Sequence, residues 1–455
     1  MEVYKTRRGG TGNNDVTNGE LKRLYADNGT VAENNFIQLI AGDITGVDFP
    51  NKKTPVVIDM QDAGAGASIS AVALTDNIAL LIYSRQYTYT VSGETRTIAA
   101  PRLRLATVIK GVITPSTVLD VDPLSSGSMP IIANHVFAQR LSDTRALIFC
   151  GRTRTVGHSF IAEISGNNLI AGAAIETGRP ELLDDQRFIA ISAPSQIRLE
   201  TRVFKITQRT ITAESAAQFI SPPLTQGLQA AQAMRLTESK AMLLCTVDRW
   251  VGSELGNRNM FFAASATISA DGVVSAGAWS QIGTGVSSTA DITCTPLSEA
   301  AALVAYGQNG VLTAGICQIA QNNSVIIGGI TSNRAGVYAG GYCISAVTLA
   351  SDKALITASG ATGYTGTVAA ISGNALSLSA YTQIAPSSPM GATAELQSHN
   401  WILCAFATGN EFAAVLIPTT QKPPRVRLSS ADKIDGITQT ACTAATAGEV
   451  WILRQ

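Results

Sequence analysis

Catalytic raw material is scarce in this chain. It has three histidines, His135, His158 and His399, far apart in sequence, and seven scattered cysteines with no Cys-x-x-Cys. Neither a zinc site nor a disulfide framework is expected from that pattern. No Gly-x-Ser-x-Gly elbow and no Gly-x-x-x-x-Gly-Lys phosphate loop occurs, so no cofactor is expected. No run reaches the roughly 18 apolar residues of a spanning helix. Met1 to Gly10 is polar and basic, without the apolar core of a signal peptide. Charge is thin at 15% and balanced, with 33 Lys plus Arg against 33 Asp plus Glu. That balance argues against nucleic acid or an anionic membrane as partner.

What the chain does have is repetition. Leu141-Ser142-Asp143-Thr144-Arg145-Ala146-Leu147-Ile148-Phe149-Cys150 is an apolar anchor, a polar turn, a small residue and an apolar run. The pattern recurs from Leu74, Leu183, Leu236, Leu297, Leu349, Leu396 and, in degraded form, Ala445. Three residues before each anchor stand Ala71, Ala138, Pro180, Ala233, Cys294, Ala346, Thr393 and Cys442. A column of small residues implies strands crowded near an axis. Thr75-Asp76, Ser142-Asp143 and Asp184-Asp185 follow the anchors, and such side chains favour tight turns.

A second hairpin follows each first one, as in Phe160 to Asn167, which turns at Ser165-Gly166-Asn167. Gly and Asn there tolerate the positive φ of short hairpins. Four antiparallel strands in each unit of roughly fifty residues is the size of a β-propeller blade. The chain ends after the first hairpin of an eighth unit, and Phe36 to Asp43 matches a second hairpin that lacks a first. Pairing residues 35–60 with 438–455 would leave no open sheet edge. The expectation is therefore an all-β, eight-bladed propeller over residues 35–455, closed by N- and C-terminal half-blades. Seven blades is the alternative, and residues 1–34 are expected as a polar N-terminal arm. An open solenoid or tandem sandwiches would not explain the complementary half-units.

These hairpins, with Ala346 to Ala358 and Gly366 to Asn374 among the clearest, resemble β-propeller repeats of bacterial and tailed-phage virion proteins. The resemblance covers most of the chain. The polar arm and Gly29 to Phe36 also look like the N-terminal region of some phage tail and virion accessory proteins. It implies a structural role in a virion assembled in the host cytoplasm, with other virion proteins as partners.

Known propeller chemistries find little support in the residues. Ser269-Ala270-Asp271-Gly272 starts like a sialidase-type turn, but its Gly comes one position early and Trp279 is too late. Asp120-Val121-Asp122 supplies two carboxylates and then meets Pro123, too few oxygens for calcium. Cys150 and Cys245 share a column with Tyr83, Tyr306 and Ala358, as interchangeable core residues would.

Recognition is expected where the chain departs from its repeat. One departure is Gln86 to Arg96, with Tyr87, Tyr89 and Arg96; another is Asp248 to Arg258, with Arg249, Trp250 and Arg258. Aromatic and arginine side chains are those favoured at interface hot spots. The basic run from Lys422 to Arg427 adds Arg425 and Arg427, and the arm offers Lys5, Arg7, Arg8, Lys22 and Arg23 as a tether. The leading expectation is a non-enzymatic virion platform in a tail, baseplate or capsid. The alternative is a carbohydrate-binding propeller that docks on a host surface glycan.

Overall fold

The computed structural model describes residues 19–26, 30–33, 35–40, 43–49, 55–60, 68–91, 94–124, 130–195, 198–221, 227–249, 258–286, 292–308, 311–337, 344–360, 363–385, 391–398, 400–407, 411–422, 425–428, 436–438, 441–444 and 447–453. Among them every regular element is a strand, and no helix is long and apolar enough to cross a membrane. The chain divides into two compact units, residues 45–420 and the two ends, 1–44 with 421–455.

The larger unit is a propeller of seven blades. Their innermost strands are Ile69–Thr75, His135–Ser142, Arg179–Leu182, Leu228–Thr237, Ile292–Ser298, Ile344–Ala350 and Gly391–Ser398. Each packs on the next, and the last returns to the first. The second strand of each blade carries a buried apolar run because the sheets of the adjacent blades cover both its faces. Ala146 to Gly151, for instance, is buried along its whole length. Seven members of the small-residue column lie on the innermost strands, as the repeat implies, while Cys442 falls in Cys442–Thr443 of the other unit.

In the first hairpins of five blades the ladder slips at the same place. The shift brackets Leu74, Leu141, Leu236, Leu297 and Leu349, so the anchor leucine is the bulged residue. In the seventh blade the shift brackets Gln397, one residue after Leu396. Gln397 therefore holds the anchor position there, and Ala394 rather than Thr393 belongs to the small column.

Turn chemistry follows the sequence. Gly166 and Gly373 adopt φ of 60° and 59°, and Lys110-Gly111 are both left-handed, at 49° and 78°. Ser269 to Val273 is a plain hairpin turn, closed by Gly272 N donating to Ser269 O at 3.0 Å. Asp184 accepts from Gln186 N at 2.8 Å and pairs with Arg187, a turn role.

Of the two blade counts, seven is correct and eight is not. The seventh blade has three strands of its own, Gly391–Ser398, Trp401–Ala407 and Phe412–Gln421. Its outer positions go to Ile44–Val47 and Val56–Asp59 from the other end of the chain. Val56 and Val57 lie opposite Ala414 and Ala413. Asp48 N donates to Pro418 O at 2.8 Å. The N-terminal region does close the ring, but against 412–418 rather than 438–455.

The expected half-blade pairing is real only locally. Phe36 and Ile37 lie opposite Ile437 and Gly436, inside a separate closed barrel of five strands. Its order is Gly19–Ala26, Arg425–Leu428, Phe36–Ile40, Gly436–Thr438 and Gly448–Leu453, which pairs back to Gly19–Ala26. Leu24, Ala26, Val31, Ile37, Cys442 and Val450 form its core. Thr438 Oγ1 donates to Ala32 O at 2.6 Å and accepts from Asn35 N at 3.0 Å. The segment expected as an arm thus contributes strands Gly19–Ala26 and Thr30–Val31, and the boundaries fall at 44/45 and 420/421 instead of 34/35.

Candidate functional site

Seven innermost strands leave a central channel of about 910 Å³. Its wall is built from short polar contacts that cross every blade boundary. Ala138 N donates to Ser70 Oγ at 3.2 Å, and Gln139 Nε2 donates to Glu181 Oε2 at 2.6 Å. Arg235 N donates to Glu181 Oε1 at 2.9 Å, and Gln232 Nε2 to Cys294 Sγ at 3.2 Å. Thr348 Oγ1 donates to Pro296 O at 2.6 Å, Ala394 N to Ser345 Oγ at 3.1 Å, and Gln397 Nε2 to Thr75 O at 2.7 Å. Inner-strand backbone without a sheet neighbour on the channel side is satisfied this way, which burial requires.

Charge is distributed along that wall. Arg140, Arg154, Arg179 and Arg235 line it, with Glu181, Glu395 and His135. Position along the innermost strands separates them. His135 and Arg179 stand where these strands begin, and Arg154 belongs to the Gly151 to Gly157 segment at that same end. Arg140, Arg235 and Glu395 stand near the hairpin turns at the opposite end. There a smaller recess of about 440 Å³ is lined by Arg140, Asp143, Glu395 and Gln397.

The surroundings set protonation. Burial, aided by the positive Arg154 and Arg179, lowers the His135 pKa to about 4, so the ring is neutral at pH 7. Burial raises the Glu395 carboxyl to about 7, with Arg140 opposing. Glu181 is raised by burial against its two hydrogen bonds and the pull of Arg179 and Arg235. The Arg179 guanidinium lies over the Phe137 ring, 4.8 Å from its centroid. The Cys150, Cys245 and Cys294 thiols are raised by burial, away from the reactive thiolate form. Among the described residues no His/Cys/Asp/Glu group could hold a metal ion.

The residues singled out from sequence are placed elsewhere. Ile78–Val91 and Glu94–Ile109 form one long hairpin, and beyond Arg85 it continues as two strands, extending about 20 Å at 3.3 Å per residue. Tyr87 and Tyr89 stack on one face with centroids 6.2 Å apart, and Arg85 lies 5.1 Å over the Tyr87 ring. The other face carries Thr88 and Thr97, whose hydroxyls are 3.1 Å apart. Arg96 pairs with Glu94 at the exposed tip. The first insertion is therefore a regular two-stranded finger rather than an irregular loop, because alternating Tyr and Thr suit a two-faced ribbon.

Arg249 and Arg258 end a hairpin of the fourth blade as cross-strand partners, while Trp250 lies outside the described residues. Arg425 and Arg427 belong to a barrel strand, opposite Ile40 and Gln38. Lys22 and Arg23 lie opposite Val450 and Glu449, and Lys5, Arg7, Arg8 and His399 lie outside the described residues. Asp120 is taken up by Arg102, at 2.5 and 3.0 Å, and by Arg85. Reading the inner-strand columns for smallness alone misses the channel charges. A charged residue in such a column, as at Arg179 or Glu181, is the available signal.

No protein-family model and no curated protein matches the chain. Solved structures do share its outline. A functionally unknown protein from Desulfotomaculum acetoxidans is 12% identical, with 71% of this chain and 96% of that one covered and a TM-score of 0.42. A protein from Lactobacillus plantarum is 11% identical over 78% and 99% of the two chains, with a TM-score of 0.42. The propeller domain of the trilobed protease from Pyrococcus furiosus, described as having an open velcro topology, is 7% identical over 81% and 99%, at 0.39. Likeness at this level carries nothing about function.

Proposed function

We propose that this protein is a non-enzymatic structural platform of a tailed-phage virion, in which the propeller presents surfaces to neighbouring virion proteins. The observation that carries this reading is the fold of the chain ends. Residues 19–24 are paired with 448–453, and 25–26 with 425–426, in a five-stranded closed barrel built from both chain ends. Such a unit suits attachment, since it is held by its own sheet, and recognition would fall to the blades. The finger of the first blade is a surface of that second kind.

Quantitative mass spectrometry of purified virions from the source tests the reading. It is expected to find the chain at a fixed copy number per particle. Recovery only as a free monomer in the host lysate would overturn it.

A second reading, glycan binding on the host surface, is favoured by one feature. The stacked Tyr87 and Tyr89 offer an aromatic face beside Arg85 on a projecting ribbon, the geometry on which sugar rings lie.

A further inference from the structure

We infer that the finger of the first blade joins two copies of this chain edge to edge, through the backbone of Gln86 to Thr90 on its Ile78–Val91 strand. The inference goes beyond the virion reading and does not rest on it.

Strand parity decides which backbone groups are offered. Ser84 N donates to Ser68 O at 3.1 Å, on the side of the blade's innermost strand. The ladder to Glu94–Ile109 runs from Ile78 to Val91 without a register shift. Backbone groups alternate between the two sides of a strand, so N–H and C=O of Gln86, Thr88 and Thr90 point the same way as those of Ser84. The innermost strand pairs no further than Tyr83, and among the described residues no strand pairs with that edge beyond it. Gln86, Thr88 and Thr90 are exposed.

The finger's two edges differ. From Gln86 to Val91 the open one has no charge and no proline, while the other strand carries Glu94, Arg96 and Pro101. That second edge is also covered at its base, where Ala133 N donates to Ala99 O at 2.8 Å and Val121 N to Pro101 O at 3.2 Å. Charge and proline keep an exposed edge from pairing, and only one edge has them.

The open edge is complementary to itself. Its window runs from Arg85, beside the closure at Ser84, to Val91, where the ladder ends, and Thr88 is the midpoint. A two-fold axis at Thr88 sets Thr88 opposite its own copy and Gln86 opposite Thr90, as hydrogen-bonded pairs. Tyr87 then falls opposite the second copy's Tyr89, in the pairs whose side chains approach most closely. Tyr87 and Tyr89 already stack at 6.2 Å, so the joined ribbons present one tyrosine face. Aromatic and threonine cross-strand pairs are favourable, and Arg85 meets Val91 rather than a like charge. A patch that meets itself closes as a dimer.

Sedimentation velocity of the full-length protein over a dilution series tests this. A reversible monomer–dimer equilibrium is expected, and hydrogen exchange within residues 85–91 should slow as the dimer fills. Thr88→Lys sets like charges across the axis and should weaken association by about tenfold or more, while Thr97→Lys, on the guarded strand, should not. Thr88→Pro removes a donor that the finger's own ladder does not use, so it should abolish the dimer and leave the monomer's melting temperature nearly unchanged. A single-chain mass at every concentration, a dimer that survives Thr88→Lys, or equal loss in Thr97→Lys would overturn the proposal.

Discussion

The side-chain amide of Gln397 donates to the main-chain carbonyl of Thr75 at 2.7 Å, joining the last blade to the first across 322 residues of chain. Its nitrogen also reaches Ile78 O at 3.3 Å. Gln397 is 2% exposed and occupies the position that anchor leucines hold in other blades. Gln397→Ala should cost about 2–3 kcal/mol, from a lost hydrogen bond, unpaired carbonyls and a small cavity. Gln397→Leu restores the repeat's own residue but not the bond, and should still cost about 1 kcal/mol. Denaturant midpoints measure both. A Gln397→Leu variant more stable than wild type would show that packing rather than the polar stitch matters here.

A second clasp lies on the outside of the ring. Asp59, on the strand that completes the seventh blade, accepts from Tyr83 at 2.8 Å and Arg102 at 2.9 Å, both in the first blade. The Asp59 and Arg102 side chains are each 15% exposed. Removing Arg102 leaves a shielded carboxylate without its cation, so Arg102→Ala should cost about 3 kcal/mol. Tyr83→Phe should cost about 1 kcal/mol, and the two losses should not add because both act through Asp59. A double-mutant cycle reads the coupling.

The same arginine sets an acid limb. Arg102 holds the Asp120 carboxyl below its ordinary range. A depressed carboxylate pKa adds stability that is present above the unfolded value and is lost as pH falls through the folded one. Stability should therefore fall on acidification below the normal carboxylate range, and Arg102→Ala should flatten that limb. Melting temperature against pH checks it.

Glu395 acts in the opposite sense. Its carboxyl, raised to about 7, keeps a proton in the folded state that the unfolded chain releases at its ordinary 4.5. Between these values the folded state binds more protons, so this group makes stability fall as pH rises from 4.5 to about 7. Glu395→Gln should remove that slope and raise stability above pH 7 relative to wild type. An unchanged pH profile would contradict the assigned environment.

The propeller was legible because its signals are local and repeated. Small residues three before each anchor, polar turns after it, and Gly166 or Gly373 at hairpin tips all report strand position directly. The blade count was not legible, for two physical reasons. Leu396 imitates an anchor while Gln397 holds the bulge, which shifts the seventh column by one. The closing strands Ile44–Val47 and Val56–Asp59 are four residues each, too short to carry a period of their own. Phe36 to Ile40 has the stronger pattern, and its place in the barrel depends on partners more than 380 residues away. Channel charge was equally hidden, since Arg140, Arg235 and Glu181 share one wall only when the blades pack side by side.

The finger of the first blade is expected to serve recognition without supporting the fold. Tyr87→Ser with Tyr89→Ser should leave the denaturant midpoint nearly unchanged, since the pair lies beyond the four-stranded part of the blade. On the glycan reading, saturable signal on a glycan array should be lost in this variant. Retained signal would move recognition away from the finger.

Ring closure by the N-terminal strand is the claim on which the architecture rests, and one covalent measurement reaches it. Val57 lies directly opposite Ala413, a spacing that suits a disulfide between introduced cysteines. Val57→Cys with Ala413→Cys, in the full-length protein under mild oxidation, should give one intramolecular link, identified by mass spectrometry as a joined pair of peptides. A seven-bladed ring completed by residues 56–59 predicts that link in nearly every molecule. Its absence, or a link from position 57 to a peptide of residues 438–455, would contradict the account.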